Sequence, residues 1–255
     1  MGDIEEQPKL GVVIPALNEE LALGPVLAEL RLALDAARLE SARVVVVDNG
    51  STDGTAEVAR SGGAKVVSEP RRGYGQACLA GLATLRAEAF GPTDLVLFLD
   101  ADHSDYPEDL AGVLAPLLAG EADFVIGSRV LGGASMEALL PQAWFGNRLA
   151  CFLMWLLFGV RHSDLGPFRA LSWGALEHLA MADTNFGWTI EMQLKAHQAR
   201  LRVVEVPVRY RARIGTSKIT GTFRGTLGAG TKILSWIFGW RLKTWVTRGG
   251  IPRYR

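Results

Sequence analysis

The sequence predicts an α/β protein with a mostly parallel, doubly wound sheet and helices on both of its faces. Three observations carry this. Short β-branched runs alternate with stretches of helical periodicity. The runs are apolar at nearly every position, the mark of strands buried on both faces. Each run ends in acids, arginines or glycines, as the carboxyl ends of strands do where such sheets bind ligands.

The strand candidates are 10–14, 42–47, 64–68, 94–99 and 123–127. The stretch 19–39 carries Leu21, Leu23, Val26, Leu27, Leu30 and Leu34 at helical spacing, and 107–118 carries Leu110, Val113, Leu114 and Leu117. Later, 187–196 reads as a helix, 144–160 as an apolar helix near Arg148 and Arg161, and the C-terminal region as an amphipathic helix. Gly225, Gly228 and Gly230 weaken the first turn of that last helix, so a later start is expected. No repeat or low-complexity linker interrupts the order. A division into 1–220 and a basic segment 221–255 is the expected organisation.

Composition narrows the function. The 255 residues are 49% hydrophobic and 21% charged, too apolar and too balanced for a disordered chain. Cys78 and Cys151 are the only cysteines, which excludes a disulfide framework and a four-cysteine zinc site and fits a reducing, cytoplasmic compartment. Asp3, Glu5 and Glu6 have the wrong sign for a signal-peptide start. The zero net charge hides a division: residues 1–200 hold 15 Lys+Arg against 26 Asp+Glu, whereas 201–255 hold 12 against 1. A basic tail on an acidic body is expected to meet an anionic partner. The apolar run 149–160 has 12 residues, short of the roughly 20 a spanning helix needs.

The sharpest chemical feature is Asp100-Ala101-Asp102, just past a buried run. Two carboxylates separated by one small residue can share a divalent cation, Mg2+ or Mn2+, and leave coordination positions for phosphate oxygens. Helix capping accounts for Asp105 before Pro107 but leaves Asp100 unexplained. Ser104 is a weaker candidate ligand. In VVVVDNGSTDGT (44–55), Asp48 can accept hydrogen bonds from a base or a ribose, and an Asx turn with Ser51 or Asp53 as cap is the competing reading. The run Arg71-Arg72-Gly73-Tyr74-Gly75 offers guanidinium forks and close backbone approach to phosphate. It lacks the Lys-Ser/Thr ending of a P-loop and the GxGxxG of a dinucleotide fold, which counts against ATP hydrolysis and NAD chemistry. The four histidines show no metal-ligand spacing, and Cys78 reads as a small buried residue.

The ordered series VVIPALNEE (12–20), VVVVDNGSTDGT (44–55), FLDADHS (98–104), FVIGSRV (124–130), DLGPFRA (164–170) and RARIGTSK (211–218) resembles the family 2 glycosyltransferases of the GT-A fold, a Rossmann-like architecture. Order and spacing are most similar to those of dolichol-phosphate and polyprenyl-phosphate sugar synthases. The resemblance spans about residues 10–218. It implies nucleotide-sugar binding at Pro15, Leu17, Glu19, Asp48, Asp100 and Ala101, to which the guanidinium run adds Arg72, and phosphate contacts from Arg129, Arg213 and Lys218. It implies metal binding by Asp100 and Asp102, with Ser104 at the third position. Asn49 stands where a second acid is frequent, Leu17 where an aromatic is, and Ser104 where some members carry a longer amide.

The implied reaction is inverting transfer from a UDP-sugar or GDP-mannose. A lipid phosphate acceptor is already an anion and needs positioning and charge stabilisation rather than a strong base. A hydroxyl acceptor needs a carboxylate, and Asp164 and Glu191 are the candidates. For Glu191 the alternative is a pairing with Lys195 at i+4.

In the tail, positions 224, 228, 232, 235, 239, 243 and 247 form a polar or small arc, and the other faces are rich in Leu, Ile and Trp. Such a helix, with the 144–160 helix, makes a platform that lies in lipid headgroups and admits a polyprenyl phosphate. The expectation is a peripheral enzyme at the cytoplasmic face of a membrane, with packing on the sheet or in a dimer as the competing use of both helices. A nucleic-acid-binding module loses ground because the tryptophans lie on an apolar arc and are not interleaved with Arg.

Overall fold

The computed structural model describes residues 8–134, 141–215 and 223–247; within the last helix, side chains are described for 228–242. The strands are β1 (Leu10–Ala16), β2 (Arg43–Asp48), β3 (Lys65–Ser68), β4 (Leu95–Phe98), β5 (Phe124–Ser128), β6 (Arg169–Ser172) and β7 (Val203–Pro207). They form one sheet in the order β3-β2-β1-β4-β6-β5-β7. All neighbours run parallel except β6, which is antiparallel to both β4 and β5.

The helices are α1 (Leu23–Ala36), α2 (Thr55–Ser61), α3 (Tyr74–Ala87), α4 (Leu110–Leu118), α5 (Pro141–Phe158), α6 (Trp173–Leu179), α7 (Trp188–Ala199) and α8 (Phe223–Thr247). One apolar layer packs Leu23, Leu30, Val113 and Leu114 of α1 and α4 against Val12, Ile14 and Leu97 on one face of the sheet. The other face carries Val13, Val45 and Phe98 against Cys78, Leu85, Trp173 and Trp188 of α3, α6 and α7. With residues facing both layers, β1, β2 and β4 must be apolar throughout, which is the pattern the sequence shows.

All five predicted strands form. Two strands, β6 and β7, were not among the sequence candidates. β6 is short and begins on Arg169, whose buried guanidinium is satisfied by the carbonyls of Leu165, Gly166 and Thr189. β7 is a half-buried edge strand with Glu205 in its middle.

The C-terminal helix corrects two expectations. It begins at Phe223 and holds Gly225, Gly228 and Gly230 inside it. Its face of Ile233, Trp236, Ile237 and Trp240 packs with Ala150 and Met154 of α5 and Ile190 and Leu194 of α7, and that burial outweighs weak local propensity. Lys232, read as part of a polar arc that meets lipid headgroups, pairs instead with the buried Asp183 at 2.9 Å. Outward-facing apolar side chains persist on both helices: Phe145, Phe152 and Leu156 on α5, and Phe238 and Leu242 on α8. The expected boundary at 220/221 lies outside the described residues.

Candidate active site

The carboxyl ends of β1 and β4 lie side by side in the sheet, so the segments leaving them meet at one rim. A pocket there is lined by Pro15, Leu17 and Glu19 from β1, Asp100, Ala101 and Asp102 after β4, Arg72, and Arg213 from the segment after β7. Eight residues expected to bind nucleotide sugar or metal thus converge on one cavity.

Arg213 spans the pocket wall. It is 2.9 Å from Glu19 Oε1 through Nη2 and 3.0 Å from Asp102 Oδ2 through Nη1. The neighbouring backbone holds it there: Arg211 N donates to Ser104 O and Ile214 N to Asp102 O. The Arg211 guanidinium, 4.3 Å from the Tyr106 ring centre, also pairs with Glu29. Glu29, on α1, further contacts His103 at 2.8 Å.

Asp100 accepts a hydrogen bond from Tyr74 Oη at 3.0 Å. Burial and then the adjacent Asp102 charge push its pKa up to about 7. Asp105 lies behind them, buried, with neither carboxylate oxygen hydrogen-bonded, and burial pushes its pKa up as well. Three clustered carboxyls with too little positive charge are a site that favours a hard cation. No set of three His, Cys, Asp or Glu in metal-binding geometry occurs among the described residues. Asp100 and Asp102 are the two pocket carboxylates that could hold such an ion.

Several expected residues lie elsewhere. Ser104 is buried and its hydroxyl donates to Asp102 Oδ1, so it orients a carboxylate and is not itself presented as a ligand. Asp48 accepts from Ser51 N at 2.9 Å and does not line the pocket; Asp53 caps Thr55, as the turn reading anticipated. Arg129 and Asp164 form a buried pair at 2.7 Å outside the lining. Burial works against the Arg129 charge, but the Asp164 carboxylate keeps its pKa above the usual value. Glu191 is fully buried, 2.8 Å from Lys195, and accepts from the N–H groups of Ala182 and Asp183. It is the i+4 pairing. Neither proposed base is placed at the pocket with a free oxygen. Lys218 lies outside the described residues.

The reading of Arg71 to Gly75 also changes. Arg71 pairs with Glu69 at 2.8 Å. A Cβ on Gly73 or Gly75 would stand 2.1 or 2.0 Å from the backbone oxygens of Thr184 and Asp183, so these glycines admit a neighbouring loop. That loop supplies Asn185 and Phe186 to the pocket, and neither was singled out, because the run Met181 to Gly187 has no periodicity. Asn49, noted only as a departure, lines the pocket and clamps the β3–α3 turn, donating to Glu69 O and Arg71 O and accepting from Gly73 N. Tyr74 and Ala77 complete the omissions.

The family model for glycosyl transferase family 2 matches residues 11–158. An uncharacterized glycosyltransferase of Mycobacterium tuberculosis is 38% identical over 221 residues, 85% of this chain and 92% of that protein. A dolichyl-phosphate hexose transferase of Haloferax volcanii is 32% identical over 230 residues, 88% of this chain and 92% of that one. Among solved structures, glucosyl-3-phosphoglycerate synthase of M. tuberculosis, crystallised with Mn2+, UDP-glucose and phosphoglyceric acid, superposes with a TM-score of 0.69 at 24% identity, covering 91% of this chain and 80% of that one. The architecture is that of the GT-A glycosyltransferases.

Proposed function

The chain belongs to glycosyl transferase family 2, and from that membership we propose that it moves a hexose from a nucleoside diphosphate sugar to a polyprenyl phosphate at a membrane surface, with inversion. The observation that carries the acceptor class is the state of the acids. Among the described residues of the pocket, Glu19 and Asp102 are paired with Arg213, and Asp100 and Asp102 are the metal candidates. Asp164 and Glu191 are buried and already fully engaged. A hydroxyl acceptor would need a base that this arrangement does not offer, whereas a phosphate arrives ionised.

In this reading an acceptor phosphate oxygen attacks the anomeric carbon as the bond to the donor diphosphate breaks, and the nucleoside diphosphate leaves. Mg2+ or Mn2+ at Asp100 and Asp102, when bound, neutralises charge on the leaving diphosphate. Arg213 swings from its carboxylates to the phosphates, and Arg72, exposed at the mouth, adds a second guanidinium. Lys218 belongs to the same proposed phosphate set. Pro15, Leu17 and Ala101 make the apolar floor on which base and ribose lie. Asp48 accepts from Ser51 N and shapes the turn after β2.

Two further observations support a lipid surface. No helix among the described residues is long and apolar enough to cross a membrane, yet Phe152 on α5 is 51% exposed and Leu242 on α8 is 61% exposed. The relative named as a dolichyl-phosphate hexose transferase matches almost end to end. The reading makes the enzyme peripheral, at the cytoplasmic face. A soluble phosphate-bearing acceptor is the second reading, favoured by the superposition on a synthase crystallised with phosphoglyceric acid.

Product analysis separates them. UDP- and GDP-hexoses are offered with Mn2+ to a short polyprenyl phosphate, the matching alcohol and 3-phosphoglycerate. Sugar on the lipid phosphate alone is expected; sugar on the alcohol or on phosphoglycerate, with none on the lipid phosphate, overturns the proposal.

A further inference from the structure

Part of the wall of the donor pocket is made by a loop with no regular structure of its own. Asn185 and Phe186 face the pocket from the segment between α6 and α7. Such a segment keeps one shape only if its backbone groups are tied from outside. The ties come from three elements. Thr184 O and Asn185 O accept from the first-turn N–H groups of α3, at Gln76 and Gly75, with lengths of 2.9 and 3.2 Å. Glu191, on α7, takes the N–H of Asp183 at 2.7 Å.

The third tie is Asp183 itself, whose side chain is 1% exposed. Its Oδ1 accepts from Asn185 N at 2.7 Å and Gly187 N at 3.0 Å, closing the loop on itself. Its Oδ2 faces the other way, to α8, where Trp236 Nε1 donates at 2.6 Å and Lys232 Nζ stands at 2.9 Å. Burial alone would raise the Asp183 pKa, but the hydrogen bonds from Trp236 and Lys232 outweigh it and hold the carboxylate ionised. The contact is close: a Cβ on Gly187 would stand 2.2 Å from Trp236 Nε1. One carboxylate thus joins the donor wall to the C-terminal helix, from residues 53 apart in the chain.

We propose that Asp183 is a positioning residue for nucleotide-sugar binding, through which Trp236 and Lys232 of α8 fix Asn185 and Phe186 in the shape the donor requires. The inference rests on the reading of this pocket as the donor site. Residues of α8 then act on donor affinity without touching the donor. Loss of either α8 contact leaves the buried Asp183 Oδ2 with one partner in place of two and loosens the tie between the loop and α8.

The test titrates UDP and GDP, each with Mn2+, into the full chain and into Trp236→Phe, Lys232→Met and Lys232→Arg, with donor KM, kcat and Tm measured alongside. Trp236→Phe keeps an aromatic side chain and removes the indole N–H together with part of the ring. Trp236→Phe and Lys232→Met are expected to weaken nucleotide binding roughly tenfold and raise donor KM in step, with kcat changed by less than about twofold. Lys232→Arg is expected to restore both. Variants with a lowered Tm but wild-type Kd and KM would show a merely structural tie and overturn the inference. Wild-type protein that binds neither nucleotide would overturn the donor-site reading beneath it.

Discussion

The Arg129 guanidinium grips Asp164 at both oxygens, with Nη2 2.7 Å from Oδ1 and Nε 2.8 Å from Oδ2, while the Arg129 backbone N–H also ends on Oδ2 at 2.8 Å. A carboxylate with both oxygens committed to a neighbouring guanidinium is poorly placed to take a substrate proton. Asp164→Asn, which keeps an acceptor for Arg129, is therefore expected to retain turnover within about tenfold and an unshifted pH profile. Asp164→Ala strands a buried guanidinium and is expected to cost about 3 kcal/mol or more of stability in denaturant unfolding.

Asp102 offers the contrasting case. Asp102→Ala removes half of the proposed metal grip and is expected to abolish metal-dependent turnover. The fold should persist, because the same change relieves the repulsion that raises the Asp100 pKa. Activity and thermal melting on one preparation check both parts.

The close approach at Gly75 gives a packing prediction. A methyl there would stand 2.0 Å from Asp183 O, so the loop bearing Asn185 and Phe186 must move. Gly75→Ala is expected to cost about 1–3 kcal/mol and weaken donor binding more than acceptor binding. Kinetics at varied donor and acceptor report the split.

His162 yields a pH dependence. Burial first, then the Arg169 and His197 charges, pushes its pKa down to about 4 from 6.5. Between those values the unfolded chain binds the proton and the folded chain does not, so stability falls as pH falls from 6.5 towards 4. His162→Gln is expected to flatten this slope by about 1–3 kcal/mol between pH 7 and 4. Denaturant midpoints at several pH values measure it.

The outward apolar side chains make the membrane reading testable apart from chemistry. Phe152→Glu with Phe238→Glu is expected to abolish sedimentation with anionic vesicles while turnover of a short, water-soluble polyprenyl phosphate survives. Both side chains are more than half exposed, 51% and 53%, so the fold should be unaffected.

The sequence makes part of the rim legible because β1 and β4 are continuous apolar runs that give way to polar residues; Pro15, Glu19, Asp100 and Asp102 line the pocket from these two strands, and Arg213 lines it from the segment after β7. It is silent where a position owes its conformation to distant parts of the chain. Phe186 and Asn185 reach the pocket on a loop tied to α3, α7 and α8 by contacts remote in the chain. β6 is announced by no pattern because its first residue is a charge buried against carbonyls. A spacing-based reading also sees charge without a distant partner, so Asp164 looks like a base until Arg129 is found against it, whereas the Lys195 partner of Glu191 is visible at i+4.

The most direct measurement is a crystal structure with Mn2+ and a nucleoside diphosphate hexose. The diphosphate should sit between Asp100, Asp102 and a reoriented Arg213, with the base against Pro15 and Leu17. A diphosphate bound anywhere else, with Arg213 still bridging Glu19 and Asp102, would contradict the account.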